Sequence, residues 1–310
     1  KEPECHLLYN VSLMVELWNS LATRDTRMLK SLINSIPDTV PESASWVNYA
    51  RCHDDIGWGF NDDKAREFGY DPFQHKQFLI NFYLGAFPGS FAKGELYESD
   101  PKTLDARNCG TTASLCGLEK AVQERDEYQA ELAIKRIILM QVFTFVSNGI
   151  PVIYSGDEIA QFNDYSYIHD PHKSRDSRFL HRPKFDWISA EKRDDLKSYS
   201  SQVYQRLLRY IQKAKGNTMM GNDCMLHAIA TSDDSTIAMI VQKRDDTLSR
   251  QKMVVLANFS EYQKSIYVDL SEDDFLIDTN WTELIQGKNV TFGHDQIIIR
   301  PYEILILNSN

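Results

Sequence analysis

No run of lysine or arginine occurs in this chain, and 44 acidic residues against 34 basic ones leave a formal charge of -10. Nucleic acid and anionic membrane surfaces are ordinarily met by a basic face, so neither is expected as a partner. CxxC is also missing: the five cysteines, Cys5, Cys52, Cys109, Cys116 and Cys224, are odd in number and scattered. That argues against a zinc knuckle or a dense disulfide scaffold, and for free thiols in a reducing, cytoplasmic setting. Apolar runs are too short for a bilayer, because Asn148-Gly149-Ile150-Pro151 separates residues 137–146 from 150–154. Without a phosphate-binding glycine loop, HExxH or GxSxG, kinase, zincin and serine-hydrolase chemistries lack support. No oxygen-ligand loop for calcium is recognisable, and no metal or organic cofactor is expected. Lys1-Glu2-Pro3-Glu4 shows neither an initiator methionine nor a signal-peptide pattern, so the chain is expected to be cut from something longer.

What is present reads first as alternating helices and buried strands. Leu13, Leu17, Leu21, Met28 and Leu32 fall at helical spacing, predicting one helix over 11–35 that ends at Pro37 and Pro41. Residues 46–52 are short and mostly apolar or aromatic, as in a strand buried on both faces. Residues 56–125 are rich in Gly, Asp and aromatics, with one helix over 73–84. That is too long for an ordinary loop and reads as an inserted subdomain. A helix over 128–147 follows, punctuated by Gly149, then a second buried strand over 151–154. A polar loop leads to an amphipathic helix over 196–215. Beyond Gly216, short β-branched runs at 237–242, 252–258, 264–268, 282–284 and 297–307 have the signature of an antiparallel sandwich. The first part reads as βα units of a parallel sheet, and two such units need further strands beside them.

In parallel α/β barrels, chemistry sits at the C-terminal ends of strands. That singles out His53, Asp54 and Asp55 after the first strand, and Asp157 and Glu158 after the second. Carboxylate acceptors and an imidazole at such an edge suit a neutral polyol. The competing reading is that Asp54 or Asp55 caps a following helix and His53 packs in the core. Arg175 reads as part of a solvated charged loop. Asp233-Asp234 and Asp245-Asp246 read as turns between strands. Asn258-Phe259-Ser260 fits the glycosylation pattern, but no secretory signal accompanies it.

At Asn48-Tyr49-Ala50-Arg51-Cys52-His53-Asp54-Asp55-Ile56-Gly57-Trp58 the sequence resembles glycoside hydrolase family 13, the α-amylase family, at its seventh barrel strand. The form Asp-Asp-Ile-Gly-Trp is more narrowly similar to amylosucrases and related sucrose hydrolases. The likeness continues along the chain. Residues 17–24 resemble the segment before strand seven, and residues 87–94 and 105–111 the insertion peculiar to amylosucrases. Residues 151–158 resemble strand eight, and Asp176-Ser177-Arg178 with His181-Arg182-Pro183 the loop after it. Residues 256–260 and Arg300-Pro301-Tyr302 resemble the family's C-terminal sandwich.

The resemblance implies a fold of class α/β plus all-β: the C-terminal part of a (β/α)8 TIM barrel, then an antiparallel β-sandwich. The expected segments are 1–55 and 127–215 for the partial barrel, 56–126 for the insertion and 216–310 for the sandwich. Asp54 would be the transition-state-stabilising carboxylate and His53 a ligand of the same glucosyl unit. Arg178 would close the glucose pocket, while Asp55 and Arg107 would meet the fructosyl or acceptor side. Sucrose and an α-glucan acceptor are the implied partners. A retaining glycosidase also needs a nucleophile and an acid/base carboxylate about 5 Å apart. In this family they follow strands four and five, so a missing N-terminal catalytic half would supply them, together with the Asp expected to pair with Arg178. Glu98 departs from the pattern, standing where amylosucrases carry a neutral amide. The isolated chain would expose strand edges and apolar helix faces and is expected to self-associate. Other family 13 activities and a non-catalytic glucan-binding or docking module are the alternatives.

Overall fold

A computed structural model describes residues 5–35, 44–244, 251–268, 280–291 and 296–309. Lys1 to Glu4, Pro37, Pro41 and the Asp245-Asp246 turn lie outside them. In chain order the elements are β1 (Leu7–Tyr9), α1 (Val11–Thr23), α2 (Arg27–Ser35), β2 (Ser45–Tyr49), α3 (Asp62–Glu67) and α4 (Pro72–Leu84). Next come β3 (Glu95–Tyr97), β4 (Arg107–Cys109), α5 (Thr112–Leu115), α6 (Leu118–Glu124), α7 (Glu127–Phe145) and β5 (Ile150–Val152). Short 3-10 turns, then α8 (Trp187–Glu191) and α9 (Tyr199–Ala214), complete the helical part. The remainder is β6 (Cys224–Ile229), β7 (Thr236–Lys243), β8 (Met253–Asn258), β9 (Lys264–Ile266), β10 (Asn280–Glu283), β11 (Asn289–Thr291), β12 (Ile297–Ile299) and β13 (Ile304–Ser309).

Two compact units divide the chain. One is drawn from residues 1–48, 139–152 and 208–310, the other from 49–138 and 153–207.

In the first unit, β1 and β2 pair in parallel, Leu8 opposite Trp46, in a sheet ordered β1-β2-β5. Three strands do not close a barrel. β1 joins the two strands expected from the sequence as a third, three exposed residues with no alternation to reveal it. The helix expected over 11–35 is two. Arg24 turns left-handed at φ 58° and closes α1, and Asp25 accepts the Arg27 N–H at 2.9 Å to start α2. Asn10 caps α1 through its side chain (Leu13 N–H, 3.2 Å) and donates to Asn48 at 2.9 Å. Asn48 donates in turn to the carbonyls of Ser147 and Asn148, both at 3.0 Å, where Gly149 turns the chain at φ +134°. Its missing Cβ matters, since one would stand 2.6 Å from the Trp46 carbonyl oxygen.

The same unit holds the all-β module, a six-stranded antiparallel sheet ordered β11-β10-β13-β8-β7-β6. Alternate residues Ala238 and Ile240 on β7 and Val254 and Leu256 on β8 enter one core with Trp281 and Leu307. The antiparallel ribbon β9–β12 adds Ile266 and Ile299 to it. The run expected as one strand over 297–307 is two, broken at Pro301-Tyr302, because Pro has no N–H for the ladder and Tyr302 sits at φ 52°. Asn258 is fully buried and donates to the carbonyls of Tyr262 and Arg300, so it is a turn-former rather than a glycan acceptor.

The second unit packs α4 and the hairpin β3–β4 beside helices α5 and α6 and the first part of α7. Trp58 stacks on Tyr83, and buried Asn108 of β4 accepts the Trp58 indole N–H at 2.8 Å and donates to the Ile80 carbonyl at 3.0 Å. The hairpin was not foreseen, its strands being three residues each. Among the described residues no helix is long and apolar enough to cross a membrane.

Candidate functional site

β2 ends at Tyr49, three residues before the expected end, and the chain then bends through His53 and Asp54. Both ends of this bend are pinned within the second unit. At one end buried Arg51 pairs with buried Asp157, Nη2 to Oδ1 at 2.8 Å and Nε to Oδ1 at 3.0 Å. Asp157 Oδ2 accepts the Thr112 hydroxyl at 2.8 Å, and Arg51 lies over the Tyr154 ring at 4.4 Å. At the other end Ile56 and Asn108 exchange backbone hydrogen bonds of 2.8 and 3.0 Å. A bend fixed at both ends holds its side chains without help from regular structure.

Neither capping nor core packing describes the residues between. No helix starts at Asp54 or Asp55; the next, α3, is capped by Asn61. The side chains of His53 and Asp54 are 59% and 51% exposed, so His53 is not a core residue. Asp54 faces three cationic or ionisable groups: Arg178 Nη1 at 3.4 Å, Arg182 Nη2 at 3.5 Å and His53 Nε2 at 3.5 Å. Arg178 comes from the 3-10 turn Ser177–His181. Asp176 caps that turn and grips the Arg178 guanidinium through two bonds of 2.9 Å. Arg178 thus has an acidic partner two residues away within the described residues. This grip raises the Arg178 pKa still further and lowers that of Asp176. The Arg178 guanidinium carbon lies over the ring of Tyr97 on β3, 4.5 Å from the ring centre.

Asp55 and Arg107 also come together, at 3.4 Å, and Arg107 reaches Glu98 at the same distance. Glu98 holds a left-handed backbone at φ 49°. Arg107 thus stands between two acids, one nearly buried and one exposed. The structure therefore brings His53, Asp54 and Arg178 into one group, with Asp55 and Arg107 forming the adjoining pair. Asp157 is locked in its ion pair, and Glu158 accepts the Gly156 N–H at 2.7 Å. Arg175 is exposed, as a solvated loop residue would be.

His181 carries a part that the sequence did not reveal. Its ring is 1% exposed: Nδ1 accepts the Gly110 N–H at 3.3 Å, and Nε2 then donates to the His53 carbonyl at 3.0 Å. The His181 carbonyl accepts from Arg51 at 3.1 Å, and Arg182 Nε donates to the His53 carbonyl at 2.6 Å. Burial, then the Arg51 charge, lowers the imidazole pKa to about 3. That keeps it in the neutral tautomer the two hydrogen bonds require. Such contacts join residues 71 to 130 apart in sequence, and only the series His181-Arg182-Pro183 marked the place.

Cys52, His53 and Asp54 are the one cluster of three potential metal ligands among the described residues, their donor atoms within 4.8 Å of one another. Burial raises the Cys52 pKa and favours the thiol over the metal-binding thiolate, and two guanidinium groups already attend Asp54. The donor set is poorly matched to a cation.

A scan against protein-family models finds no match. Solved structures do match. Sucrose 6F-phosphate phosphorylase from Thermoanaerobacter thermosaccharolyticum superposes with a TM-score of 0.56 at 15% identity, covering 94% of this chain and 48% of its own. A variant of AmyP in complex with maltotriose gives 0.61 at 12% identity, covering 99% and 51%. The noncanonic maltogenic α-amylase AmyB from Thermotoga neapolitana gives 0.53 at 10%, covering 98% and 50%. The chain therefore has the fold of about half of each of these enzymes, and spans about half their length.

Proposed function

We propose that this chain is part of a retaining α-glucoside-active enzyme of the glycoside hydrolase family 13 type, acting on sucrose by glucosyl transfer to an α-glucan or by hydrolysis. The observation that carries the reading is the grouping of Asp54 with Arg178, Arg182 and His53 at the pinned bend after β2. On this reading β1, β2 and β5 are the last strands of a TIM barrel, whose C-terminal edge bears the site. Asp54 accepts hydrogen bonds from glucosyl hydroxyls, and these strengthen as the ring flattens toward an oxocarbenium-like transition state. His53 donates to the same ring. Arg178, held against Asp176 and Tyr97, walls off the pocket so that a terminal glucosyl unit fits. Arg107 and Asp55 meet the fructosyl or acceptor side, and Glu98 beside Arg107 adds a negative charge that shapes acceptor choice.

The nucleophile and the acid/base come from a half outside these 310 residues, in keeping with the half-length match to the solved enzymes. Asp157 and Glu158 are unsuited to those roles, one being ion-paired in the interior and the other bound to backbone. A second reading, an amylase or α-glucosidase, is favoured by the match to AmyP bound to maltotriose. The insertion and the Arg178 grouping favour sucrose.

Fructose and glucose release from sucrose separates these readings. The purified chain is expected to be silent alone, and to become active when completed by an N-terminal half carrying the two carboxylates. In the completed enzyme Asp54→Asn should lower kcat at least about a hundredfold. Turnover of maltotriose but not sucrose would replace this reading with the amylase one. Fructose release by the isolated chain, lost in Asp54→Asn, would overturn the supply of the carboxylates from outside. Glucan binding without turnover by the completed protein would leave a binding module.

A further inference from the structure

A cavity of about 900 Å³ opens among the loops and short helix of residues 159–200, and its charge runs against that of the whole chain. Five cationic side chains line it, Lys173, Arg182, Lys184, Lys192 and Lys197, against two carboxylates, Asp164 and Asp186. Both carboxylates are engaged locally. Asp164 accepts the N–H and hydroxyl of Ser166 at 2.9 and 2.5 Å. Asp186 accepts those of Ser189 at 3.1 and 2.5 Å, which lowers its pKa. Lys173 is paired with Asp170 at 3.6 Å. Among the described residues, Lys184, Lys192 and Lys197 form no ion pair within 4.0 Å. The other acids of residues 159–200, Asp170, Asp176, Glu191, Asp194 and Asp195, do not line the cavity.

Three ammonium groups without an ion pair within 4.0 Å, Lys192 being offset only in part by the charge of Asp186, raise the potential of one concavity, and a bound anion relieves it. The volume lies in the range of small-molecule sites. Lysine is a point-charge donor suited to phosphate oxygens, and three such groups match a dianion better than a single carboxylate. The Ser200 hydroxyl on the same wall offers a hydrogen bond to a hydroxylated ligand body, while that of Ser198 is engaged with the Lys192 carbonyl and the Ser201 N–H. Arg182 belongs to the wall while its guanidinium is bound to the His53 carbonyl, so the cavity adjoins the group around Asp54 without containing it.

We infer that this cavity binds a small phosphate-bearing ligand through Lys184, Lys192 and Lys197. This goes beyond the sucrose reading and does not depend on it. Calorimetric titration of the 310-residue chain at low salt, with inorganic phosphate and with glucose 6-phosphate, should give saturable one-to-one binding. Each of Lys184→Gln, Lys192→Gln and Lys197→Gln should raise Kd about threefold or more, and the triple variant about thirtyfold. Arg193→Gln removes one charge from the same stretch but not from the lining, and should change Kd less than about twofold. All four positions are exposed, and coincident circular dichroism melts check the fold. Equal affinity for both probes would place recognition in the phosphoryl group, and tighter binding of the sugar phosphate would add the hydroxyl wall. Absence of saturation up to about 10 mM of either probe, well above ordinary metabolite affinities, would overturn the inference. So would an Arg193→Gln effect as large as that of the lining lysines.

Discussion

Two buried titratable residues depart from their ordinary values in opposite directions. Burial lowers His181 from 6.5 to about 3, with Arg51 assisting. Burial raises Glu16 from 4.5 to about 7, against the opposing hydrogen bond from Asn19 at 2.8 Å. Unfolded His181 takes up a proton near 6.5 whereas the folded ring waits until about 3. Its contribution is therefore intact above 6.5 and lost as pH falls, by at most about 1.4 kcal/mol per pH unit. Glu16 behaves in mirror image. The folded carboxyl keeps its proton to about 7 while the unfolded one loses it near 4.5, so its contribution fades as pH rises across that interval. Urea midpoints between about pH 4 and 8 should show a smaller loss on the alkaline side in Glu16→Gln, and a shallower acid-side slope in His181→Gln. A Glu16→Gln profile parallel to the parent would refute the Glu16 assignment.

His53, Asp54 and Asp55 were legible because acids and an imidazole at the end of an apolar strand leave a visible mark. The bonds by which Thr112, Asp157, Arg51 and His181 set the bend were not. Their partners lie up to 130 residues apart, and no local spacing encodes such a chain of bonds.

Elements were legible in proportion to their length. α4, α7 and α9 fall within a few residues of their periodic patterns, as do β7 and β8. Three-residue strands such as β1, β3 and β4 are too short for alternation to register, and the break at Arg24 carries no Gly or Pro to announce it. What joins β1, β2 and the turn after α7 is the Asn10–Asn48 pair. Asn48→Ala would leave two carbonyls and the Asn10 amide without these partners in a fully buried place, at a cost of about 3 kcal/mol. The loss should appear as a lower urea midpoint at unchanged slope, and a change under about 0.5 kcal/mol would show that the pair is incidental.

At the scale of the molecule, the sheet ordered β1-β2-β5 puts β1 and β5 at its two ends. Leu7, Tyr9 and Val11 on or beside one end, and Ile150 and Val152 on the other, are more than 40% exposed. Apolar side chains on strands with a free edge invite pairing with another chain, and natural edges are usually blunted by charge or cover. Neither is present at β1, which reads Leu-Leu-Tyr, whereas β5 reads Ile-Pro-Val and its Pro151 removes one ladder donor from that edge. We propose that this sheet associates in solution unless an N-terminal half completes it. Sedimentation velocity from about 1 to 100 µM should then show weight-average mass rising with concentration. Leu8→Lys with Tyr9→Lys, both side chains already partly in solvent, should suppress the rise while leaving the melting temperature within about 3 °C. If the completing half covers this sheet, adding it should abolish self-association as stoichiometric complex forms. A monodisperse monomer across the whole range would show instead that these edges are tolerated as they stand, and that the half-length chain is self-sufficient.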